Sequence, residues 1–107
     1  MPETSKRLEF LQKLTSKSDD PFAWYGLALE YKSLGRQEEA VATFGKLRAL
    51  DPGYLPQYLM CGALLVELGR NAEARDWLSA GVATARQKGD GHALSELEAA
   101  LGGLGAG

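Results

Sequence analysis

The chain has 107 residues, of which 45% are hydrophobic and 24% are charged, a composition that is typical of one soluble globular domain and excludes a wholly disordered chain. Its formal net charge is -2, so it lacks the basic excess of a general nucleic-acid binder. One cysteine, Cys61, and one histidine, His92, exclude a disulfide framework, a cysteine-based zinc site and a histidine-pair metal site.

The first predicted element is a helix in the N-terminal flanking segment 1–20, which we expect to end near residues 16–19. Its apolar residues are Leu8, Phe10, Leu11 and Leu14. Charged residues are scattered among them, so the segment lacks the continuous apolar run of a secretory signal. The longest uncharged stretch, residues 53–66, is shorter than the about 20 residues that a membrane-spanning helix needs. We therefore predict no membrane partner and, by default, a cytoplasmic location, which the free Cys61 weakly favours.

The next two segments, 21–54 and 55–88, repeat each other with an offset of 34 residues. The sequence Leu-Gly-Arg at 34–36 recurs at 68–70, and Glu-Ala at 39–40 recurs at 73–74. Aromatic Trp24 aligns with Tyr58 at the same offset. Agreement at so many positions indicates that one structural unit is present twice.

Within each unit the apolar residues have the period of an α-helix. The first unit carries two such stripes, made of Trp24, Leu27, Ala28, Tyr31 and Leu34 and then of Ala40, Phe44 and Leu47. Asp20 and Pro21 have the pattern of a helix start, and Gly35 and Gly69 have that of a left-handed helix end. Each unit is therefore predicted to be a hairpin of two helices of roughly 13 residues.

The last predicted elements are a C-terminal capping helix within 89–101 and a flexible tail over 102–107, where four of the six residues are glycine. Stacking of the hairpins and flanking helices predicts an all-α fold. We expect an α-α superhelix, or solenoid, of five to six antiparallel helices that forms one domain in total.

These residues resemble the tetratricopeptide repeat family, whose 34-residue hairpin has aromatic, small and glycine residues at fixed positions. The first unit matches that signature with Trp24, Leu27, Ala28, Tyr31, Gly35, Ala40, Phe44 and Pro52. The second unit has Arg86 where the family prefers proline, which implies a last helix that continues about a turn, to Lys88. The whole chain looks like small stand-alone bacterial proteins that have two repeats and a closing helix.

The resemblance implies a binding groove on the inner face of the first helix of each repeat. Carried over position by position, that groove consists of Phe22, Tyr25, Leu29, Lys32, Ser33, Pro56, Leu59, Ala63, Val66 and Glu67. Family members that bind chaperone tails have Lys and Asn in places where this chain has Tyr25, Leu29, Leu59 and Ala63, so that activity is not supported. The implied function is a protein-protein interaction module, an adaptor or scaffold, that binds a helical or extended apolar segment.

The same apolar stripe allows two other interpretations. The helix at 55–68 is apolar nearly all round, so burial inside the fold is as well supported as a partner surface. If the stripe is exposed, it can also form a homodimer or dock on a larger assembly.

An enzymatic function is not expected from these residues. His92 lies at a helix start with no motif that links it to a nucleophile. Cys61 falls on a core stripe, where a small buried hydrophobe is the usual role. The C-terminal glycines lack the helix and lysine of a phosphate-binding loop. We therefore predict no catalytic residues, no metal and no cofactor.

Overall fold

The structure is a computed structural model that describes residues 5–105, and no strand occurs among them. The six helices of this part of the chain are α1 (Lys6–Thr15), α2 (Pro21–Ser33), α3 (Gln37–Leu50), α4 (Pro56–Glu67), α5 (Asn71–Lys88) and α6 (Gly91–Gly103). The predicted all-α fold of helical hairpins is confirmed.

The residue contacts divide the chain into two compact units, of which the first ends at Tyr54 and the second begins at Leu55. The division falls at the predicted boundary between the two repeats, and one domain in total stays a prediction. In repeat proteins each element contacts mainly its neighbours along the chain, so contacts cluster locally. The first unit holds α1 to α3 and the second holds α4 to α6.

In the first unit α2 packs against both α1 and α3. Leu8 of α1, Ala28 of α2 and Phe44 of α3 are fully buried. Trp24, which begins the first predicted stripe, is only half-buried, and its indole N–H donates a hydrogen bond to the Ser18 carbonyl at 2.9 Å. The apolar stripe therefore forms the core as predicted, with an aromatic residue at its edge that also anchors the α1–α2 loop.

The predicted helix ends have the expected local chemistry. The Asp20 carboxylate accepts a hydrogen bond from the backbone N–H of Phe22 at 3.1 Å, which caps α2. Gly35 and Gly69 have φ angles of 79° and 74°, the left-handed conformation that glycine adopts without a steric cost.

In the second unit α5 packs against both α4 and α6, and α4 also contacts α6. Gly81 of α5 is the point of closest approach. A Cβ atom at this position would be 2.6 Å from the Tyr58 Cβ of α4 and 2.8 Å from the Leu97 Cδ2 of α6. The absence of a side chain at Gly81 is therefore what lets three helices meet there.

Of the two C-terminal helices, α5 ends where the sequence predicts, and α6 continues beyond its predicted end. α5 ends at Lys88, the end implied by the missing proline. α6 runs to Gly103, so Gly102 and Gly103, which we expected in the flexible tail, are helical. A hydrogen bond of 3.2 Å from Arg75 Nη1 to the Gly105 carbonyl ties the following turn to α5, a tertiary contact that local glycine content does not predict. Residues 106–107 lie outside the described part of the chain.

Candidate functional site

The predicted binding residues of α2 reach solvent to different degrees. Phe22 is 72% exposed, and Ser33 is also exposed, whereas Tyr25, Leu29 and Lys32 are half-buried. The opposite face of the helix is buried against α1 and α3. α2 therefore presents an apolar face that its neighbours in the first unit cover only in part.

Tyr25 has a structural role as well as a surface position. Its ring centroid lies 6.3 Å from that of Phe44 and 5.3 Å from that of Tyr54, in edge-to-face and tilted arrangements. Burial, and to a lesser extent the neighbouring Tyr54, raises the pKa of the Tyr25 phenol. The pKa of Tyr54 is raised too, by burial first and then by Asp20 and Asp51. Tyr25 thus stays a neutral phenol over the physiological pH range.

The predicted binding residues of α4 lie on the exposed side of that helix. Pro56, Ala63 and Glu67 are exposed, Leu59 is half-buried, and Val66 is 42% exposed. The buried side consists of Gln57, Tyr58, Cys61, Gly62, Leu64 and Leu65. The interpretation that α4 is covered on every side is therefore wrong. When a helix has apolar residues on all sides, its sequence alone does not indicate which of those residues other helices cover.

Two further exposed apolar residues, Phe10 and Leu14 of α1, were not among the predicted binding residues. Their exposed fractions are 64% and 38%. They lie four positions apart, on a face distinct from that of buried Leu8 and Leu11, and this split of the apolar residues between two faces is the signal that could have identified them.

Phe10 and Leu14 line a pocket of about 250 Å³ between α1 and α2. Its other lining residues are Arg7, Leu11, Asp20, Phe22, Ala23 and Gly26. Phe22 thus faces this pocket next to α1, whereas Tyr25 contacts α3. The structure does not bring the five predicted residues of α2 into one cavity.

The described part of the chain shows no catalytic arrangement. Between residues 5 and 105 no three His, Cys, Asp or Glu residues group as a metal site would require. His92 is 88% exposed and its Nε2 lies 3.4 Å from Glu96 one turn along α6, while Cys61 is fully buried. In the same part of the chain no helix is long and apolar enough to cross a membrane.

Comparison with solved structures gives close matches. A tetratricopeptide repeat domain protein from Salinibacter ruber, solved by solution NMR, shares 35% identity with a TM-score of 0.77, and the match covers 80% of this chain and 87% of that one. A crystal structure of a tetratricopeptide repeat domain protein from the same organism has 35% identity, a TM-score of 0.74 and coverage of 79% and 94%.

A protein from Bordetella parapertussis, solved in solution, is 24% identical with a TM-score of 0.78 over 94% of this chain and 89% of that one, which supports the fold alone. No protein of curated function matches at a significant level. The sequence itself matches the family model of the tetratricopeptide repeat over residues 31–101. The helical hairpins, the repeated glycine turns and these matches lead to one conclusion: the chain belongs to the tetratricopeptide repeat family.

Proposed function

We propose that this protein is an adaptor or scaffold that binds a helical or extended apolar segment of another protein, with α2 as the contact helix of the first unit and α4 as that of the second. The family fold is in general a protein-protein interaction module. The observation that carries the proposal is the exposure of Phe22 and Val66 on the first helix of each repeat, opposite a fully buried face. Large apolar side chains that are exposed together are a mark of interaction surfaces.

The proposed role is not enzymatic: the family fold is typically non-catalytic, and the exposed His92 lies beside Glu96 of its own helix. Catalysis requires a nucleophile, a base and an orienting group held together. The cytoplasmic location stays a prediction from the sequence.

The proposal is tested with substitutions that keep the core intact. Tyr25 is unsuitable because its ring packs on Phe44 and Tyr54. Leu29→Glu combined with Val66→Glu places a charge on each face, and Ala42→Glu combined with Ala83→Glu places the same charges on exposed positions of the second helices.

We expect partners that co-purify with the wild-type protein, identified by mass spectrometry, to be lost from the first double variant and kept by the second. Circular dichroism confirms that both variants are folded. Retention of every partner by the Leu29→Glu, Val66→Glu protein would show that these faces do not bind.

The same exposed apolar residues also favour self-association through a homodimer. Sedimentation across a range of protein concentrations separates the two functions, since an adaptor with a free binding face stays monomeric. A dimer that the Leu29→Glu, Val66→Glu variant dissociates would favour the structural role over the adaptor role.

A further inference from the structure

The pocket between α1 and α2 has the lining of a docking site for one or two apolar side chains. Phe10 and Leu14 form one wall and Phe22 forms the other, and all three are more than one-third exposed. Ala23 and Gly26 leave the floor open, since even a Cβ added at Gly26 would meet only Leu11, at 3.5 Å. A volume of about 250 Å³ is below the range of small-molecule sites, about 300–1,000 Å³, so side chains of a protein suit it better than a cofactor.

The second unit shows what kind of element fits against such a pair of helices. There α5 and α6, also consecutive in the chain, are both contacted by a third helix, α4. The side chain that α4 inserts is aromatic: Tyr58 packs over Gly81 and its ring lies 5.9 Å from that of Trp77. In the first unit α2 packs on α1, but α3 makes no comparable contact with α1. The α1–α2 pair therefore lacks the third helix that the α5–α6 pair has.

The charged residues of α1 beside the pocket indicate which charge a bound partner carries. Lys6 and Lys13 lie four positions before and three positions after Phe10, hence on its side of α1. Within residues 5–105 neither lysine forms an ion pair, while Arg7 at the pocket wall is held by Glu30 at 3.2 Å. The one acidic residue of the lining, Asp20, accepts the capping hydrogen bond from Phe22 N. Glu9 lies between the two lysines along this side of α1, so a bound segment meets two lysines against one glutamate, a net positive charge.

We propose that the α1–α2 groove binds an amphipathic helix of a partner protein, which inserts a large apolar residue between Phe10, Leu14 and Phe22 and sets acidic residues against Lys6 and Lys13. This site shares Phe22 with the α2 face of the proposed function, but it does not involve Leu29 or Val66, so variants at those two positions separate the two proposals. The acidic α6 of a second copy is a poorer occupant. Its Glu98 pairs with Arg86 at 2.9 Å, and Asp90 caps its own helix by accepting from Ala93 N.

The test begins with a displayed library of helix-forming peptides of about 16 residues, long enough to form a helix on binding, selected on the full chain. The selected peptides are then titrated by fluorescence anisotropy against variants. Phe10→Ala and Lys13→Glu probe the groove. Leu50→Ala and Lys46→Glu are the matched controls, since both residues are exposed on α3.

We expect the selected peptides to carry apolar residues at helical spacing with Asp or Glu on one flank. Phe10→Ala weakens their binding by about tenfold or more, as for a central anchor. Lys13→Glu weakens it severalfold at low salt, with a smaller effect at high salt. The two α3 variants and the Leu29→Glu, Val66→Glu protein bind as wild type does.

Four results would overturn the proposal. The selected peptides could be basic or uncharged, or they could bind Phe10→Ala with wild-type affinity. A dimer in sedimentation that Phe10→Ala converts to monomer would mean that a second copy occupies the groove. Loss of binding in the Leu29→Glu, Val66→Glu protein alone would assign the peptides to the proposed α2 and α4 faces instead.

Discussion

Glycines within the helices have contrasting surroundings although the sequence presents them alike. Gly81 is buried at the meeting point of three helices, and Gly45 of α3 is exposed with open space where a Cβ would be. The family resemblance accounts for a small residue at Gly81. No atom lies close to where a Gly45 Cβ would be. Gly45 therefore lowers the helix propensity of α3 and allows no close helix contact in exchange.

Gly81→Ala is expected to lower the free energy of unfolding by about 1–3 kcal/mol, the cost of an overpacked site. The clash is with the Tyr58 Cβ at 2.6 Å, and a Cβ atom moves only with its backbone. Urea denaturation gives the value. Equal stability of Gly81→Ala and wild type would mean that α4 and α5 separate easily.

Gly45→Ala is the matched control and is expected to raise the free energy of unfolding by about 0.5–1 kcal/mol, because alanine is the better helix former. The same urea titration measures it. A destabilised Gly45→Ala protein would show that this face of α3 is more confined than its open surroundings suggest.

Two phenylalanines test the difference between core and surface. Phe44 is fully buried beside Tyr25, and Phe10 is mostly exposed. Phe44→Ala is expected to cost about 3–5 kcal/mol of stability, whereas Phe10→Ala costs at most about 0.5 kcal/mol. Thermal unfolding followed by circular dichroism compares them. A large loss in Phe10→Ala would contradict its assignment to a free surface.

At the scale of the element, the repeated Leu-Gly-Arg turns end in the same ion pair. Arg36 donates two hydrogen bonds to the Glu39 carboxylate, at 2.6 and 2.7 Å, and Arg70 donates two to Glu73, both at 2.8 Å. Neither arginine caps its helix through its side chain. The two parallel hydrogen bonds instead tie the arginine, which precedes the helix, to a glutamate in the first helical turn. This paired arrangement is typical of arginine–carboxylate contacts.

These pairs predict a small acid-dependent loss of stability. The hydrogen bond from Arg36 lowers the pKa of Glu39, and that from Arg70 lowers the pKa of Glu73. A carboxylate with a lowered folded pKa stabilises the fold above its ordinary value of 4.5, and this stabilisation is lost as pH falls through the folded pKa.

We therefore expect the melting temperature of wild type to exceed that of Glu39→Gln slightly at pH 7, and this difference to shrink as pH falls below 4.5. Exposed pairs contribute little, so 1 M salt is expected to reduce the difference at pH 7 as well. A difference that does not shrink with falling pH would mean that the substitution disturbs the turn by a route other than charge.

At the scale of the whole molecule, the helix contacts join elements that are near in sequence: α1 with α2, α2 with α3, α4 with α5 and α5 with α6. Proteins dominated by local contacts fold fast because little loop entropy is lost before contacts form. Refolding is therefore expected within milliseconds in stopped-flow fluorescence of Trp24 and Trp77. A main phase that lasts seconds would indicate long-range contacts in the rate-limiting step.

The sequence by itself determined the helical class, the 34-residue repeat and the turns at Gly35 and Gly69. These follow from periodicity and backbone conformation, which depend on near neighbours in the chain. It also implied, through the family resemblance, that α5 continues to Lys88.

Only the tertiary structure decided which apolar residues stay in solvent. Leu8 and Phe10 have similar side-chain chemistry, yet one is buried and the other lines an open pocket. It also decided that α4 has an exposed face and that Gly102 and Gly103 are helical. A local pattern shows that apolar residues occupy two faces of a helix, as in α1, but which face is buried depends on the helices that pack against it from elsewhere in the chain.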